Sequence, residues 1–204
     1  RHHHHLCNSI PTGNSEEPST FTVANTNDLT FGGVLGGTGA NDNNFNFTKT
    51  GVGRLILTSN NTFTGTATIA NGTLELGNAT NTLGNTTPVN VNGGVLDIAD
   101  KTDAVGVLTI TSGSITGTVG ELYAPMCTGK AGTVTAILTG PTNLSGTTTN
   151  WLVKDTAGVL VLASSNTFRG NINVTAGRLT LANSQALGTR NGSDRKGLTS
   201  QGTG

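Results

Sequence analysis

The chain has 204 residues, of which 33% are hydrophobic and 4% aromatic, and its 11 basic and 11 acidic side chains leave no formal net charge. A sequence with only 11% charged residues has no basic stripe for nucleic acid and no acidic tract. No apolar stretch reaches the roughly 20 residues that a membrane-spanning helix needs. We therefore expect no nucleic-acid partner and no membrane insertion.

The chain begins with a segment of linker composition. Residues 1–20 contain Pro11, Gly13 and Pro18 among polar side chains, and we predict a polar N-terminal tail. No Cys or Asp spacing organises His2 to His5, so a solvated tail or an affinity tag is favoured over a metal site.

Short strands are predicted from residue 21 to residue 188. Apolar and polar residues alternate in runs of about four to six, such as Arg54–Leu57 and Thr73–Leu76, and the runs end at Gly, Asn or Ser. No segment of helical length carries apolar residues at a spacing of three to four. We predict an all-β domain over residues 21–188, followed by a polar C-terminal tail over residues 189–204.

One stretch of the domain occurs twice. Residues 47–84 recur at 152–188, which is typical of solenoids, and the few aromatics with a Leu, Val and Ile core favour a solenoid over a sandwich. We interpret the leucines as inward columns, the glycines as corners, the asparagines as corners with left-handed backbone angles, and the phenylalanines as covers of each turn. The repeated structural positions are Gly53, Leu55, Leu57, Asn61, Phe63, Gly65, Gly72, Leu74 and Leu76, then Gly158, Leu160, Leu162, Asn166, Phe168, Gly170, Gly177, Leu179 and Leu181.

The repeat resembles a known family. The segments FTKTGVGRLIL at 47–57, NTFTG at 61–65 and NGTLEL at 71–76 resemble the autotransporter-associated, or passenger-associated, β-strand repeat of bacterial surface proteins. The second copy follows the same pattern, with Asp155 and Ala157 as departures. The resemblance implies a right-handed parallel β-helix, exported from a bacterium and displayed outside the cell, in which the repeats are scaffold.

Two weak patterns have a metal or catalytic interpretation. Asp97, Asp100 and Asp103 could bind calcium or imitate the acidic cleft of a β-helix lyase, but a solvated loop is the favoured interpretation. Residues 36–42 approach a calcium-binding repeat, but Asn41 stands where Asp is required and the pattern occurs once. We therefore predict no catalytic residue, no metal site and no cofactor.

Two cysteines allow one disulfide. Cys7 and Cys127 could pair within the chain or between subunits, since an extracellular compartment permits it, or remain free thiols. All four histidines lie in the N-terminal segment, so the sequence places no imidazole to activate a thiolate.

The ends of a solenoid suggest a function. End turns expose unpaired backbone groups, and we find no amphipathic helix to cap them. We therefore predict a non-catalytic extracellular subunit that stacks head-to-tail on copies of itself into a surface fibre or layer. The alternatives are a fragment of an adhesin-like passenger, acting as a stalk or a surface that binds glycans or host cells, and a polysaccharide lyase or hydrolase.

Overall fold

The computed structural model of the protein describes residues 19–39, 42–141, 150–188 and 198–200. The regular structure in these ranges is entirely β. The strands are β1 (Ser19–Val23), β2 (Leu29–Phe31), β3 (Phe45–Lys49), β4 (Arg54–Leu57), β5 (Ala67–Ile69), β6 (Thr73–Leu76), β7 (Val89–Asp97), β8 (Asp103–Ala104), β9 (Leu108–Thr116), β10 (Glu121–Tyr123), β11 (Cys127–Gly129), β12 (Gly132–Val134), β13 (Ile137–Thr139), β14 (Asn150–Leu162), β15 (Asn171–Leu181) and β16 (Leu198–Ser200).

Parallel pairing winds these strands into a coil. The first face runs through β1, β3, β5, β7, β9, β11, β14, β15 and β16 in that order. A second face begins with β2, β4 and β6 and continues in the C-terminal halves of the longer strands, while β8, β10 and β13 form a third face. Each strand pairs with the equivalent strand of the next turn, so the predicted β-solenoid is confirmed. Its right-handed sense stays a prediction.

Columns of inward side chains fill the coil. Because parallel strands in register lie about 4.8 Å apart, each inward residue rests on its partner in the next turn. Each of these side chains is at most 2% exposed. The column on the first face is Phe47, Ala67, Val89, Leu108, Cys127, Leu152 and Ile172.

Glycine permits the corners between the first and second faces. Gly72 and Gly177 have φ values of 64° and 70°, the left-handed region that the corner position predicts. A Cβ on Gly72 would also lie 2.4 Å from the carbonyl oxygen of Gly51, and one on Gly177 would lie 2.2 Å from that of Thr156. Only glycine therefore allows successive turns to approach this closely.

The domain boundaries are only partly visible. β1 begins at Ser19, inside the predicted N-terminal tail, and β16 lies inside the predicted C-terminal tail and pairs with β15. Residues 1–18, 189–197 and 201–204 fall outside the described ranges, so the division at residues 20 and 188 stays a prediction. Within the described ranges, no helix has the length and hydropathy needed to cross a bilayer.

Candidate functional site: polar joints inside the coil

The most unusual side chain in the first repeat is a buried lysine. Lys49 is fully buried and stands in an inward column, between Val23 and Ile69 of the neighbouring turns. Its Nζ donates to the carbonyl oxygens of Thr50 and of Gly51, the latter at 2.8 Å, and more weakly to that of Asn71 at 3.4 Å. The ammonium group therefore joins the corner of its own turn to the corner of the next. We call a buried polar side chain that bonds the backbone of a neighbouring turn in this way a joint.

The second repeat contains the same joint. Lys154 is fully buried, and its Nζ donates to the carbonyl oxygen of Thr156 in its own turn and to that of Ala176 in the next turn at 3.1 Å. The same hydrogen-bonding arrangement thus occurs twice, at equivalent positions of the repeat.

Burial makes both ammonium groups costly. Desolvation lowers the pKa of Lys49 and of Lys154, and the nearby Asp155 carboxylate partly opposes the shift at Lys154. No salt bridge to either lysine occurs among the described residues. Carbonyl oxygens supply the compensation instead. A lysine with a lowered pKa can act as a nucleophile or base, but full burial leaves these two without access to a substrate.

Two asparagines form a second kind of joint, on the side of the third face. Asn61 accepts from the backbone N–H of Leu35 at 2.7 Å and donates to the carbonyl of Thr82 at 2.6 Å. Asn166 accepts from the N–H of Leu138 at 2.9 Å and donates to the carbonyl of Ala186 at 2.7 Å. Each amide thus bonds the turn before it and the turn after it.

The predicted left-handed backbone at these asparagines is wrong. Neither Asn61 nor Asn166 has a positive φ, whereas Asn81 and Ala99 do. Both asparagines are almost fully buried, at 4% and 1% exposure, because their amides point inward to bond two turns.

Aromatic side chains pack beside the asparagine joints. Phe63 lies 5.5 Å from Phe45 and 5.8 Å from Phe47 between ring centroids, and Phe168 stacks on Trp151 at 3.9 Å. Both repeated phenylalanines are buried in the core. The indole Nε1 of Trp151 donates to the carbonyl of Ala124 at 2.9 Å, which satisfies the buried donor.

The remaining repeated positions divide by place in the coil. Leu55, Leu57, Leu74, Leu76, Leu160 and Leu162 are at most 1% exposed, whereas Leu179 is half-buried and Leu181 is 42% exposed. Gly53, Gly65 and Gly158 lie where a Cβ would come within 3.0 Å of the preceding turn, and Gly170 has a φ of 115°.

The three predicted aspartates do not act together. Asp97 accepts from the N–H of Ala99 at 2.9 Å, and Asp100 pairs with Lys101 at 2.5 Å. Asp103 is only 3% exposed, so the interpretation of all three as a solvated loop is wrong for this residue. The sequence signal for this burial is the alternation of Asp103 with the apolar Val105, which is buried on the same side. Across the described ranges, no group of three acidic, His or Cys side chains could hold a metal ion.

The turn with the calcium-like pattern is closed by its own side chains. A carboxylate oxygen of Asp42 accepts from the N–H of Gly39 at 2.7 Å, and Oδ1 of Asn43 accepts from that of Gly37 at 2.8 Å. Residues 40 and 41 of the pattern lie outside the described ranges.

Cys127 is part of the core. It is fully buried in β11 between Leu108 and Leu152, and burial raises the pKa of its thiol to about 12, so the group is not a thiolate at neutral pH. Cys7 lies outside the described residues. The disulfide between them stays a prediction.

The comparisons with known proteins agree with the repeat. The model of the passenger-associated-transport-repeat family matches residues 47–76 and 152–181. Searches of the curated proteins and of the solved structures found no match. Each matched segment contains one buried lysine, one joining asparagine and two glycines with positive φ. The matched segments therefore contain polar side chains that hold successive turns together.

Proposed function

Because the chain carries two passenger-associated-transport repeats on a β-solenoid, we propose that it is a non-catalytic stalk segment of an autotransporter-type passenger, displayed outside a bacterial cell. The repeat family supports surface exposure in general, and the role as a stalk is our own proposal. One observation carries it: the buried lysines and asparagines of both repeats bond backbone atoms of adjacent turns. These bonds stabilise the stacking of turns along an elongated coil. The buried side chains that make them present no reactive group at the surface.

Surface display is tested on bacteria that produce the natural full-length protein. Antibodies against the solenoid should label intact cells, and an external protease should remove the label. Labelling that requires lysis of the cells would contradict the proposal. Small-angle scattering of the purified chain should give a rod-shaped particle, whereas a compact sphere would contradict a stalk.

A second candidate function is head-to-tail assembly of copies of this chain. Residues 178–181 of β15 pair with β14 on one side and have no strand on the other among the described residues. At the opposite end, β2 pairs only with β4, again within the described part of the chain. The exposure of Leu181 favours this candidate, since an apolar inward position at an open edge gains from a covering strand.

The geometry of the C-terminal end is less favourable to assembly than to a stalk. Among the described residues, β16 adds a strand over Ile172–Val174 on the first face and no strand follows on the second, so the two faces end one strand apart. Strands β1 and β2 pair with β3 and β4 of one turn, so they do not share this step. With the described strands alone, a second copy could not pair with both faces at once without a further strand between them.

Electron microscopy and analytical ultracentrifugation distinguish the two candidates. Filaments of stacked rods, abolished by Leu181→Asp, would support assembly, whereas monomers at high concentration would exclude it. Binding of glycans or host cells is a further property of the stalk surface that we propose without a defined site. The lyase or hydrolase alternative is the least favoured, because its candidate residues Asp97, Asp100 and Asp103 bond separate groups.

A further inference from the structure

A carboxylate occupies a position in the solenoid where both family repeats use an amide. Following the hydrogen bonds and strand pairing from turn to turn places eight buried residues in one inward column beside the third face. In order, they are Leu35, Asn61, Leu83, Asp103, Leu122, Leu138, Asn166 and Ala186.

Asp103 makes the bond to the preceding turn that the two asparagines make, but not their bond to the following turn. Its Oδ2 accepts from the N–H of Leu83 in the preceding turn at 2.9 Å, as Asn61 accepts from Leu35 and Asn166 from Leu138. Its Oδ1 accepts from the N–H of Ala104 at 2.8 Å. The asparagines also donate to the following turn, but an ionised carboxylate has no proton to donate.

Among the described residues, no charged neighbour stabilises the Asp103 carboxylate. On its own corner, Lys101 pairs with Asp100, and on β10 the side chains of Glu121 and Tyr123 are exposed while Leu122 faces the column. The segment 78–83 of the preceding turn contains no titratable side chain. Within the described part of the chain, backbone N–H groups alone therefore balance the charge.

We propose that Asp103 is a proton-binding joint of the solenoid, which takes up one proton on mild acidification and then holds its two neighbouring turns as an asparagine does. In the acid form one carboxyl oxygen carries a hydrogen and regains the donor that Asn61 and Asn166 possess. The acid form also removes a buried charge.

The direction of the pH dependence follows from burial. Desolvation raises the pKa of Asp103 from 3.8 to about 6, against the opposing effect of its backbone hydrogen bonds. A raised pKa in the folded state means that the folded state binds the proton more tightly than the unfolded state. The contribution of Asp103 to stability is therefore fully present below pH 3.8 and is lost as the pH rises through 6.

Urea unfolding, followed by the fluorescence of Trp151, tests the proposal. Between pH 4 and pH 7, the Asp103 contribution should lower the ratio of folded to unfolded wild-type protein roughly 50-fold. Asp103→Asn should remove this contribution, and it should be more stable than wild type at pH 7. Asp100→Asn, an exposed aspartate on the same corner, is the matched control and should leave the Asp103 contribution unchanged.

The reverse substitution makes the test independent of any one variant. Asn166→Asp places a carboxylate in the equivalent position of the second repeat, so it should add a pH dependence of the same sign. If Asp103→Asn keeps the wild-type pH dependence, or if the carboxyl carbon of Asp103 titrates near pH 4 by nuclear magnetic resonance, the proposal is overturned.

Discussion

The two copies of the repeat have the same residues in different surroundings. In the first copy, which lies inside the coil, Leu74 and Leu76 are fully buried. In the second copy, Leu179 is half-buried and Leu181 is 42% exposed, because β16 covers only the first half of β15. The repeat therefore encodes inward columns, but burial depends on whether a following turn is present.

The polar joints differ less between the copies than the leucines do. Lys49 and Lys154 are both fully buried, and Asn61 and Asn166 both bond the preceding and following turns. These joints need only one neighbouring turn on each side, and the last described turn supplies it to the second copy. Hydrogen bonds thus maintain the second repeat where apolar burial is incomplete.

The largest difference between the copies is expected from a charge in the leucine columns. Leu74→Asp should destabilise the solenoid by about 4 kcal/mol or more, since it buries an unpaired carboxylate and loses apolar packing. Leu179→Asp should cost about half as much, because water reaches that position. The measurement is the urea midpoint, followed by Trp151 fluorescence.

Thr73→Asp is the control for this pair, because it places the same charge on the half-exposed face of β6. We expect a small effect there. Equal losses for Leu74→Asp and Leu179→Asp would mean that the second copy is as well covered as the first, contrary to its exposure.

A smaller difference should come from the lysine joints. Lys49→Met keeps the apolar stem but leaves up to three carbonyl oxygens without their donor, and we expect a loss of about 2 kcal/mol. Lys154→Met leaves two and should cost less. The relief from removing a buried charge partly offsets both losses.

The two buried lysines should also make the stability of the protein depend on pH in the alkaline range. Their lowered pKa values mean that the unfolded state holds the proton more tightly, so stability should rise with pH between the lowered pKa values and 10.5. The rise should disappear in the double Lys→Met variant. An unchanged alkaline profile in that variant would show that the lysines are not its source.

The sequence predicts the solenoid well because its evidence is local and repeated. Alternation in runs such as Arg54–Leu57 sets the face of each side chain, and the glycines mark the corners. The roles of Lys49, Asn61 and Asp103 could not be predicted in the same way. Whether a polar side chain points into the coil depends on which backbone groups of the next turn meet it, and those groups lie about 20 or more residues away.

The smallest effect should come from a surface feature that only the first copy has. Arg54 pairs with Asp28 and Glu75 at 2.8 Å each and so spans three turns, whereas the second copy has Val159 at the equivalent position. Hydrogen bonding and charge from Asp28, then charge from Glu75, raise the pKa of Arg54, but its side chain is 43% exposed, so water and salt screen both pairs. Arg54→Val should therefore leave the urea midpoint almost unchanged in high salt and lower it slightly in low salt. A large loss that persists in high salt would mean that this ion ladder, rather than the buried joints shared by both copies, stabilises the first repeat.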